Sequence, residues 1–318
     1  MLQATTLMGQ VLPFVAATAA VLVICCGCSP KSVRHEKIAD TPPVVFNHLY
    51  VVLNEPQFAV FRDHPYFRER FAAVDAGFPK FAAVTPASQA LYFRGRDTYL
   101  EIFGPNNRFG EPVGKVGLGW SVEQPGAIDW VENQLRGHAA DRIERTLRRW
   151  DFETAQPVNW YHAVYRQFPQ SSRTVWWFSE YHHEFFPALF PARRANHVDL
   201  ARRTFLLDRF RPDLDLINLT GAELALSAEQ AGHLTADLIS LGYRQQTCGD
   251  ECLDLIGTEF TLSLHTGSET SGLQCVRFDA RRAPAGLPAH PKEGAVIVEV
   301  QREGAGRIHL ARPSDGKR

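Results

Sequence analysis

The chain has 318 residues, enough for one large domain or two smaller ones. Hydrophobic residues make up 45% and charged residues 22%, which is typical of a globular protein. The formal net charge of -1 argues against a basic surface that binds nucleic acid.

The first 28 residues differ in composition from the rest of the chain. The stretch "VLPFVAATAAVLVICCGC", 11–28, is uncharged and apolar, and its length is typical of the apolar core of a signal peptide. Gly27 followed by Cys28 resembles the lipobox of bacterial lipoproteins, which implies lipidation at Cys28. The protein would then be a membrane-anchored lipoprotein of the cell envelope, facing the periplasm or the exterior. No Lys or Arg precedes the apolar run, so an uncleaved anchor or an unprocessed chain stays an alternative.

A polar, proline-ended segment, 29–43, is typical of a short tether. The strand-like run "VVFNHLYVVL", 44–53, follows it. The spacing of the phenylalanines in 55–75 predicts a helix that is interrupted near Pro65. Residues 88–105 predict a β-hairpin around a Gly-Arg-Asp turn.

The same order of elements then repeats. A glycine-rich strand, 114–123, precedes an amphipathic helix, 126–137, and two aromatic-rich strands, 158–168 and 173–186. Residues 44–186 therefore predict a domain of two related modules.

The segment 187–213 is rich in Arg and Pro and predicts a linker. A strand, 219–227, and an amphipathic helix, 228–243, come next, and Ser227 is a suitable N-cap for that helix. Three further strands, at 258–266, 272–281 and 307–312, complete the pattern of a C-terminal βαβββ-like module, 214–312, before a short tail, 313–318. The predicted fold class is α+β.

Three cysteines lie beyond the apolar run: Cys248, Cys252 and Cys275. They are too few for a four-thiolate zinc site. In an oxidising compartment we expect two of them to form a disulfide, and the sequence leaves the pairing open.

Three stretches resemble the vicinal-oxygen-chelate, or glyoxalase-like, superfamily: "NHLYVVL", "TYLEIFGP" and "GLGWSVEQPGAIDWVENQL". Together they are similar, more specifically, to a bacterial domain family of unknown function with this arrangement. The resemblance implies paired βαβββ modules whose sheets curl around a shared cup that holds a small molecule or a metal. It implies no particular reaction, because isomerases, dioxygenases and binding proteins share the fold.

The resemblance places His48 and Glu101 at the first two metal-ligand positions. The strand that often supplies a third ligand reads "VGLGWSV", with Gly117 where a histidine would stand. The stretch "EYHHE", 180–184, could complete the set through Glu180 and His182. Such ligands would suit one divalent ion: Zn, Mn, Fe(II) or Ni.

In a metal-dependent mechanism, Glu101 and Glu180 would be the catalytic carboxylates. Each candidate also has a structural interpretation: His48 as a hydrogen-bonded strand residue and Glu101 as the partner of an arginine. We expect four aromatic residues to line the cup: Tyr50, Tyr99, Trp120 and Trp177.

The missing second-module histidine favours a small-molecule binding protein whose metal site is degenerate or absent. The alternatives are a divalent-metal-dependent lyase, isomerase or dioxygenase, and a structural envelope lipoprotein. Since several modules in one chain can pair internally, we expect a monomer.

Overall fold

We describe a computed structural model of the chain over residues 43–77, 81–139, 142–150, 157–169, 171–190, 200–266, 272–281, 292–293, 296–301 and 304–310. The predicted signal peptide with Cys28, the tether up to residue 42 and the C-terminal tail lie outside the described residues.

Residues 44–181 form one eight-stranded sheet, which we call the first sheet. Its strands are β1 (Val44–Val52), β2 (Ala73–Asp75), β3 (Ala90–Arg94), β4 (Tyr99–Phe103), β5 (Val116–Val122), β6 (Ile143–Trp150), β7 (Val158–Arg166) and β8 (Thr174–Tyr181). They lie in the order β2-β3-β4-β1-β5-β8-β7-β6. Strand β1 is parallel to β4, β5 is parallel to β8, and β1 pairs antiparallel with β5. The sheet therefore consists of two βαβββ modules joined through β1 and β5, as the sequence predicted.

Two helices cover one face of this sheet. Helix α1 (Glu55–Asp63) begins at Asn54, whose side chain accepts a hydrogen bond from the Gln57 amide. The predicted interruption near Pro65 is confirmed, because α1 ends at Asp63 and a π-helical turn, Tyr66–Phe71, follows it. Helix α2 (Ala127–Ala139) spans the second module, and the apolar side chains of both helices are buried: Phe58, Phe61, Ile128, Val131 and Leu135.

Two short helices pack against the first sheet, one across the start of the predicted linker and one within it. They are α3 (Phe185–Leu189) and α4 (Arg202–Leu206). Phe185 and Phe205 are buried with aromatic residues of β4 and β8. Arg202 donates to the Asp97 carbonyl oxygen at 2.8 Å and also pairs with Glu123 and Glu259. This segment therefore connects both halves of the molecule through packed contacts.

The C-terminal region forms a second eight-stranded sheet, where the sequence predicted a single module. It contains β9 (Leu216–Ala225), helix α5 (Ala228–Ser240), and seven further strands: β10 (Arg244–Gly249), β11 (Cys252–Ile256), β12 (Thr261–His265), β13 (Gly272–Ala280), β14 (Lys292–Glu293), β15 (Val296–Val300) and β16 (Ala305–Leu310). The order β10-β11-β12-β9-β13-β16-β15-β14 repeats that of the first sheet. The predicted strands from "GLQCVRFDAR" and "RIHLAR" thus belong to a further set of four strands rather than to the α5 module.

One buried carboxylate joins the two sheets. Asp237 on α5 is fully buried and accepts hydrogen bonds from both Nε and Nη2 of Arg166 on β7. Its Oδ2 also accepts from Trp176 Nε1 at 2.8 Å, and its Oδ1 lies 2.8 Å from His138 Nε2. Because a buried charge is unfavourable unless it is paired and hydrogen-bonded, this set of contacts constrains how α5 sits on the first sheet.

Cys248 and Cys252 form a disulfide between β10 and β11, which resolves the pairing that the sequence left open. Cys275 on β13 is buried and has a free thiol. No helix in the described part of the chain is long and apolar enough to cross a membrane.

We predict that Asp237→Asn lowers the free energy of unfolding by about 3 kcal/mol, because it leaves the Arg166 charge buried without its partner. Urea denaturation of the two proteins measures the difference. Glu229→Gln is the control, since Glu229 is exposed on the same helix, and we expect that change to stay within about 0.5 kcal/mol. Equal stability of Asp237→Asn and the native protein would show that the carboxylate does not hold the sheets together.

Candidate functional site

The face of the first sheet opposite α1 and α2 lines a cavity of about 480 Å³, which we call the cup. Its wall is mainly aromatic: Tyr50, Tyr92, Tyr99, Phe103, Phe109, Trp160, Tyr161, Tyr165, Phe168, Trp177 and Tyr181. His48, Glu101, Asn47 and Ser179 supply polar atoms within that wall. A cavity of this size and lining is typical of a small-molecule site.

Strand alternation places the candidate residues of the first module in the cup. In the parallel β1–β4 pair, His48 lies opposite Tyr99 and Tyr50 lies opposite Glu101. Successive side chains of a strand point to opposite faces, so these residues share the face that lines the cavity. The imidazole of His48 stacks on the Tyr99 ring, with their centroids 4.5 Å apart.

The second module presents glycines to the cup. Gly117 pairs with Tyr50 and Gly119 pairs with His48 across the antiparallel β1–β5 ladder. A Cβ atom at Gly117 would lie 2.0 Å from Tyr50 Cε1, and one at Gly119 would lie 2.9 Å from both His48 Cε1 and Trp177 Cζ2. These positions must lack side chains, because the rings of β1 and β8 occupy the space above them.

His48 and Glu101 are neighbours but do not bond directly. The distance from His48 Nε2 to Glu101 Oε1 is 4.0 Å, too long for a hydrogen bond. The other ring nitrogen, His48 Nδ1, lies 3.1 Å from Asn47 Oδ1, and Asn47 Nδ2 donates to Ser121 Oγ. With Asn47 in this orientation, Nδ1 of His48 carries the hydrogen and Nε2 is left as an acceptor that faces Glu101.

Burial changes the charge of both residues. It lowers the pKa of His48 to about 3, with the positive charge of nearby Arg94 as the second cause. It raises the pKa of Glu101 to about 8, although Arg94 opposes this shift. At neutral pH, His48 is therefore uncharged and Glu101 is mostly protonated.

The structure contradicts the prediction that Glu180 is a cup residue. Its carboxylate accepts hydrogen bonds from the backbone amides of Gly126 and Ile128, both at 2.9 Å. The carboxylate therefore caps the N-terminus of α2, where its negative charge interacts favourably with the positive end of the helix dipole. The cavity-lining residues of β8 are Val175, Trp177, Ser179 and Tyr181, so Glu180 lies on the opposite face of the sheet from His48 and Glu101.

Trp120 and His182 also lie outside the cup. Trp120 alternates with Gly119 and Ser121 on β5 and is fully buried in the core, where its Nε1 donates to Tyr243 Oη at 2.8 Å. His182 comes after the last residue of β8, in the turn that leads to α3, and is not part of the cavity lining. The other three aromatic residues predicted for the cup, Tyr50, Tyr99 and Trp177, line it.

The described cup residues do not complete the donor set that the superfamily resemblance implies. A catalytic metal site needs three or four N or O ligands that converge from different strands. His48 and Glu101 supply two, whereas the cup-facing positions of β5 and β8 hold glycines, serines and apolar or aromatic residues. Groups of three or more metal-ligating side chains occur at two places in the described part of the chain, and neither lies in the cup.

Several cup residues were not singled out from the sequence. Asn47 directly precedes His48, and its role in orienting the imidazole becomes clear only in the structure, where its side-chain amide donates to Ser121 Oγ. Tyr161 and Tyr165 on β7 follow the alternation of a cup-facing strand, a signal that was present in "VNWYHAVYRQF". Four charged residues complete the lining: Arg108, Glu111, Lys115 and Arg148.

The first sheet has the element order and strand order of two paired βαβββ modules, which is the arrangement that the glyoxalase-like resemblance implies, and the second sheet repeats its strand order. Residues 46–286 match a family of unknown function, DUF5829, and the chain belongs to that family. A comparison with curated proteins gives no match.

Several solved structures are similar to this chain at low sequence identity. A hypothetical protein from Staphylococcus aureus is 9% identical with a TM-score of 0.44, and the alignment covers 82% of this chain and 97% of that chain. The Mn(II)-bound glyoxalase from Novosphingobium aromaticivorans is 8% identical with a TM-score of 0.41, over 74% of this chain and 64% of that one. A glyoxalase/bleomycin resistance protein/dioxygenase superfamily member from Vibrio splendidus is 15% identical with a TM-score of 0.24, over 44% of this chain and 98% of that one.

The raised pKa of Glu101 predicts a pH-dependent stability difference between the native protein and Glu101→Gln. Folded Glu101 keeps its proton up to about pH 8, whereas the unfolded chain releases it near the ordinary value of 4.5. Between these values the folded state binds the extra proton, so native stability falls as pH rises, by at most about 1.4 kcal/mol per pH unit.

Glutamine does not titrate, so the Glu101→Gln variant lacks this pH dependence. Its free energy of unfolding relative to that of the native protein should increase from about pH 4.5 to about pH 8 and then level off. Urea denaturation from pH 5 to pH 9 measures the difference, and the contribution of His48 is common to both proteins. A difference that stays constant over this range would mean that Glu101 is ionised in the folded state.

Proposed function

We propose that this protein binds a small, largely apolar molecule with a hydroxyl group in the cup, without a metal between His48 and Glu101. The observation that carries this proposal is the 4.0 Å gap between His48 Nε2 and Glu101 Oε1 inside a cavity with aromatic walls.

The gap suits an oxygen that both donates and accepts a hydrogen bond. Protonated Glu101 is a donor, and neutral His48 presents Nε2 as an acceptor. A ligand oxygen about 2.8 Å from each atom fits between them. A hydroxyl group accepts from Glu101 and donates to His48, so it satisfies both buried groups at once.

The remaining wall favours a planar, apolar ligand body. The rings of Tyr50, Tyr99 and Trp177 surround His48, with the Trp177 ring centroid 5.1 Å from that of the imidazole. Aromatic walls of this kind stabilise a flat ligand through stacking and burial.

The charged residues of the lining influence which substituents fit. Arg108, Lys115 and Arg148 are cations. The carboxylate of Glu111 also lines the cup, and its Oε2 lies 3.9 Å from Lys115 Nζ. The excess of positive charge favours a neutral or anionic ligand over a cationic one.

Binding is better supported than catalysis. The His48–Glu101 pair offers a proton donor and a proton acceptor, which general acid–base chemistry requires. The described cup residues add neither a third metal ligand nor an activated nucleophile to the pair. The metal-dependent alternative relied on Glu180 and His182, and neither reaches the cup.

The proposal predicts that small phenols and hydroxylated aromatic acids bind the protein and raise its melting temperature. A panel of these compounds is screened by thermal shift, and the affinity of each one that binds is measured by calorimetry. We expect His48→Ala and Glu101→Leu each to weaken binding at least about tenfold, because each leaves the ligand hydroxyl without one hydrogen-bond partner.

His309→Ala is the matched control, because His309 lies on β16 of the second sheet beside Glu299. Its affinity for the same compounds should equal that of the native protein. The proposal fails if no compound of this class binds, or if His48→Ala and Glu101→Leu bind as tightly as the control.

We also propose that the chain is exported and lipidated at Cys28. The support is the apolar run that ends in Gly27-Cys28, together with the Cys248–Cys252 disulfide, a bond typical of oxidising compartments.

Lipidation predicts that the full chain, expressed in a bacterium supplied with labelled palmitate, incorporates the label and fractionates with membranes. Cys28→Ala should abolish the label, whereas Cys26→Ala, a change two residues away, should keep it. Equal labelling of the two variants, or none in the native chain, would contradict modification at Cys28.

A further inference from the structure

The turn between β8 and α3 gathers metal-ligating side chains outside the cup. His182, His183 and Glu184 are consecutive, and one ligand atom from each lies within 4.8 Å of the other two. Glu184 Oε2 is 3.7 Å from His182 Nδ1, and the two imidazole centroids are 4.2 Å apart. Two imidazoles and a carboxylate are the ligand types that Zn²⁺ and its neighbours prefer.

The backbone of this turn is held at both ends. The His182 amide donates to the Trp160 carbonyl oxygen at 2.8 Å, which ties the turn to β7. The Phe185 amide donates to the His182 carbonyl oxygen at 3.0 Å, which closes the turn. Tyr181, before the turn, and Phe185 and Phe186, after it, are all buried. The three ligating side chains therefore project from a fixed backbone, which lowers the entropy lost when they converge on an ion.

A fourth ligand is available from the neighbouring strand. His162 on β7 lies opposite Glu180 in the antiparallel β7–β8 ladder, close to the end of β8. Its ring centroid is 5.7 Å from that of His182. A site assembled from a turn and an adjacent strand thus contains three imidazoles and one carboxylate.

We propose that His162, His182, His183 and Glu184 form a surface site for a divalent transition metal, with Zn²⁺ as the ion that fits best. In a tetrahedral zinc site with bonds of about 2.0–2.1 Å, neighbouring ligand atoms are about 3.3 Å apart. His183 and Glu184 are exposed, so rotation of their side chains brings their ligand atoms closer without moving the core.

The other group of candidate ligands in the described part of the chain does not compete for this role. It consists of Cys248, Cys252 and Asp254, but its two sulfur atoms are joined in the disulfide. A disulfide sulfur is not a thiolate, so this group lacks the ligand chemistry that zinc requires. The test is therefore made without reductant, which keeps these sulfurs oxidised.

Zinc affinity of the full chain is measured by competition with a chromophoric chelator, and stoichiometry by calorimetry with Zn²⁺ alone. We expect one Zn²⁺ per chain. His183→Ala and Glu184→Ala should each weaken binding at least about tenfold, and His162→Ala should also weaken it. The first two residues are exposed, so these variants should melt at the temperature of the native protein.

Two control variants separate this site from other histidines. His309→Ala removes an imidazole that lies 3.6 Å from a carboxylate on the second sheet, and His48→Ala removes the cup imidazole. Both should bind Zn²⁺ like the native protein. The proposal is overturned if the native chain binds no Zn²⁺, if His183→Ala and Glu184→Ala retain native affinity, or if His48→Ala alone abolishes binding.

Discussion

The shape and chemistry of the cup depend on the absence of side chains at the centre of β5. Gly117 and Gly119 leave the space that the rings of Tyr50 and Trp177 fill, and a Cβ atom at Gly117 would lie 2.0 Å from the Tyr50 ring. An imidazole on this strand and an aromatic wall above it therefore exclude each other. The two glycines that leave room for this wall also leave β5 without a side chain that could bind a metal at these positions, so both features of the cup have one cause.

That wall also determines what the two polar residues can do. Because aromatic rings exclude water, burial disfavours the charged forms of both His48 and Glu101. Their interaction with a ligand is then one of hydrogen bonds between neutral groups rather than of charge attraction. Asn47 fixes which nitrogen of His48 is the acceptor, and it is itself held by Ser121 on β5. The second module thus contributes to the polar centre through a side chain that orients the imidazole indirectly.

The superfamily resemblance singled out His48 on β1 and Glu101 on β4, and alternation along each strand placed Tyr50 and Tyr99 on the same faces, which line the cup. The same reasoning failed on β8, where Trp176 and Trp177 lie on opposite faces and aromatic residues therefore do not reveal which face is the core. The predicted strand also continued through residue 186, whereas it ends at Tyr181. In the C-terminal region, β10 was missed because all of its residues are exposed and it shows no apolar alternation. In the sequence, Asp237 has the pattern of a solvent-facing position on an amphipathic helix. Its burial depends on Arg166 and Trp176, which are distant in sequence and donate hydrogen bonds to it in the fold.

Helix α4 of the predicted linker packs behind the cup wall, although every residue that lines the cup lies between residues 47 and 181. Phe205 on α4 packs against Tyr99 and Tyr181, with ring centroids 6.0 and 6.1 Å apart. The position of α4 is in turn set by Arg202, which contacts Glu123 of the first module pair and Glu259 of the second sheet. Asp237 joins the two halves at a separate point, and the hydrogen bond from Trp120 to Tyr243 does so at another, so several polar contacts fix the C-terminal half on the first sheet. The cup wall is therefore supported from behind by α4, and residues 44–186 alone would lack that contact.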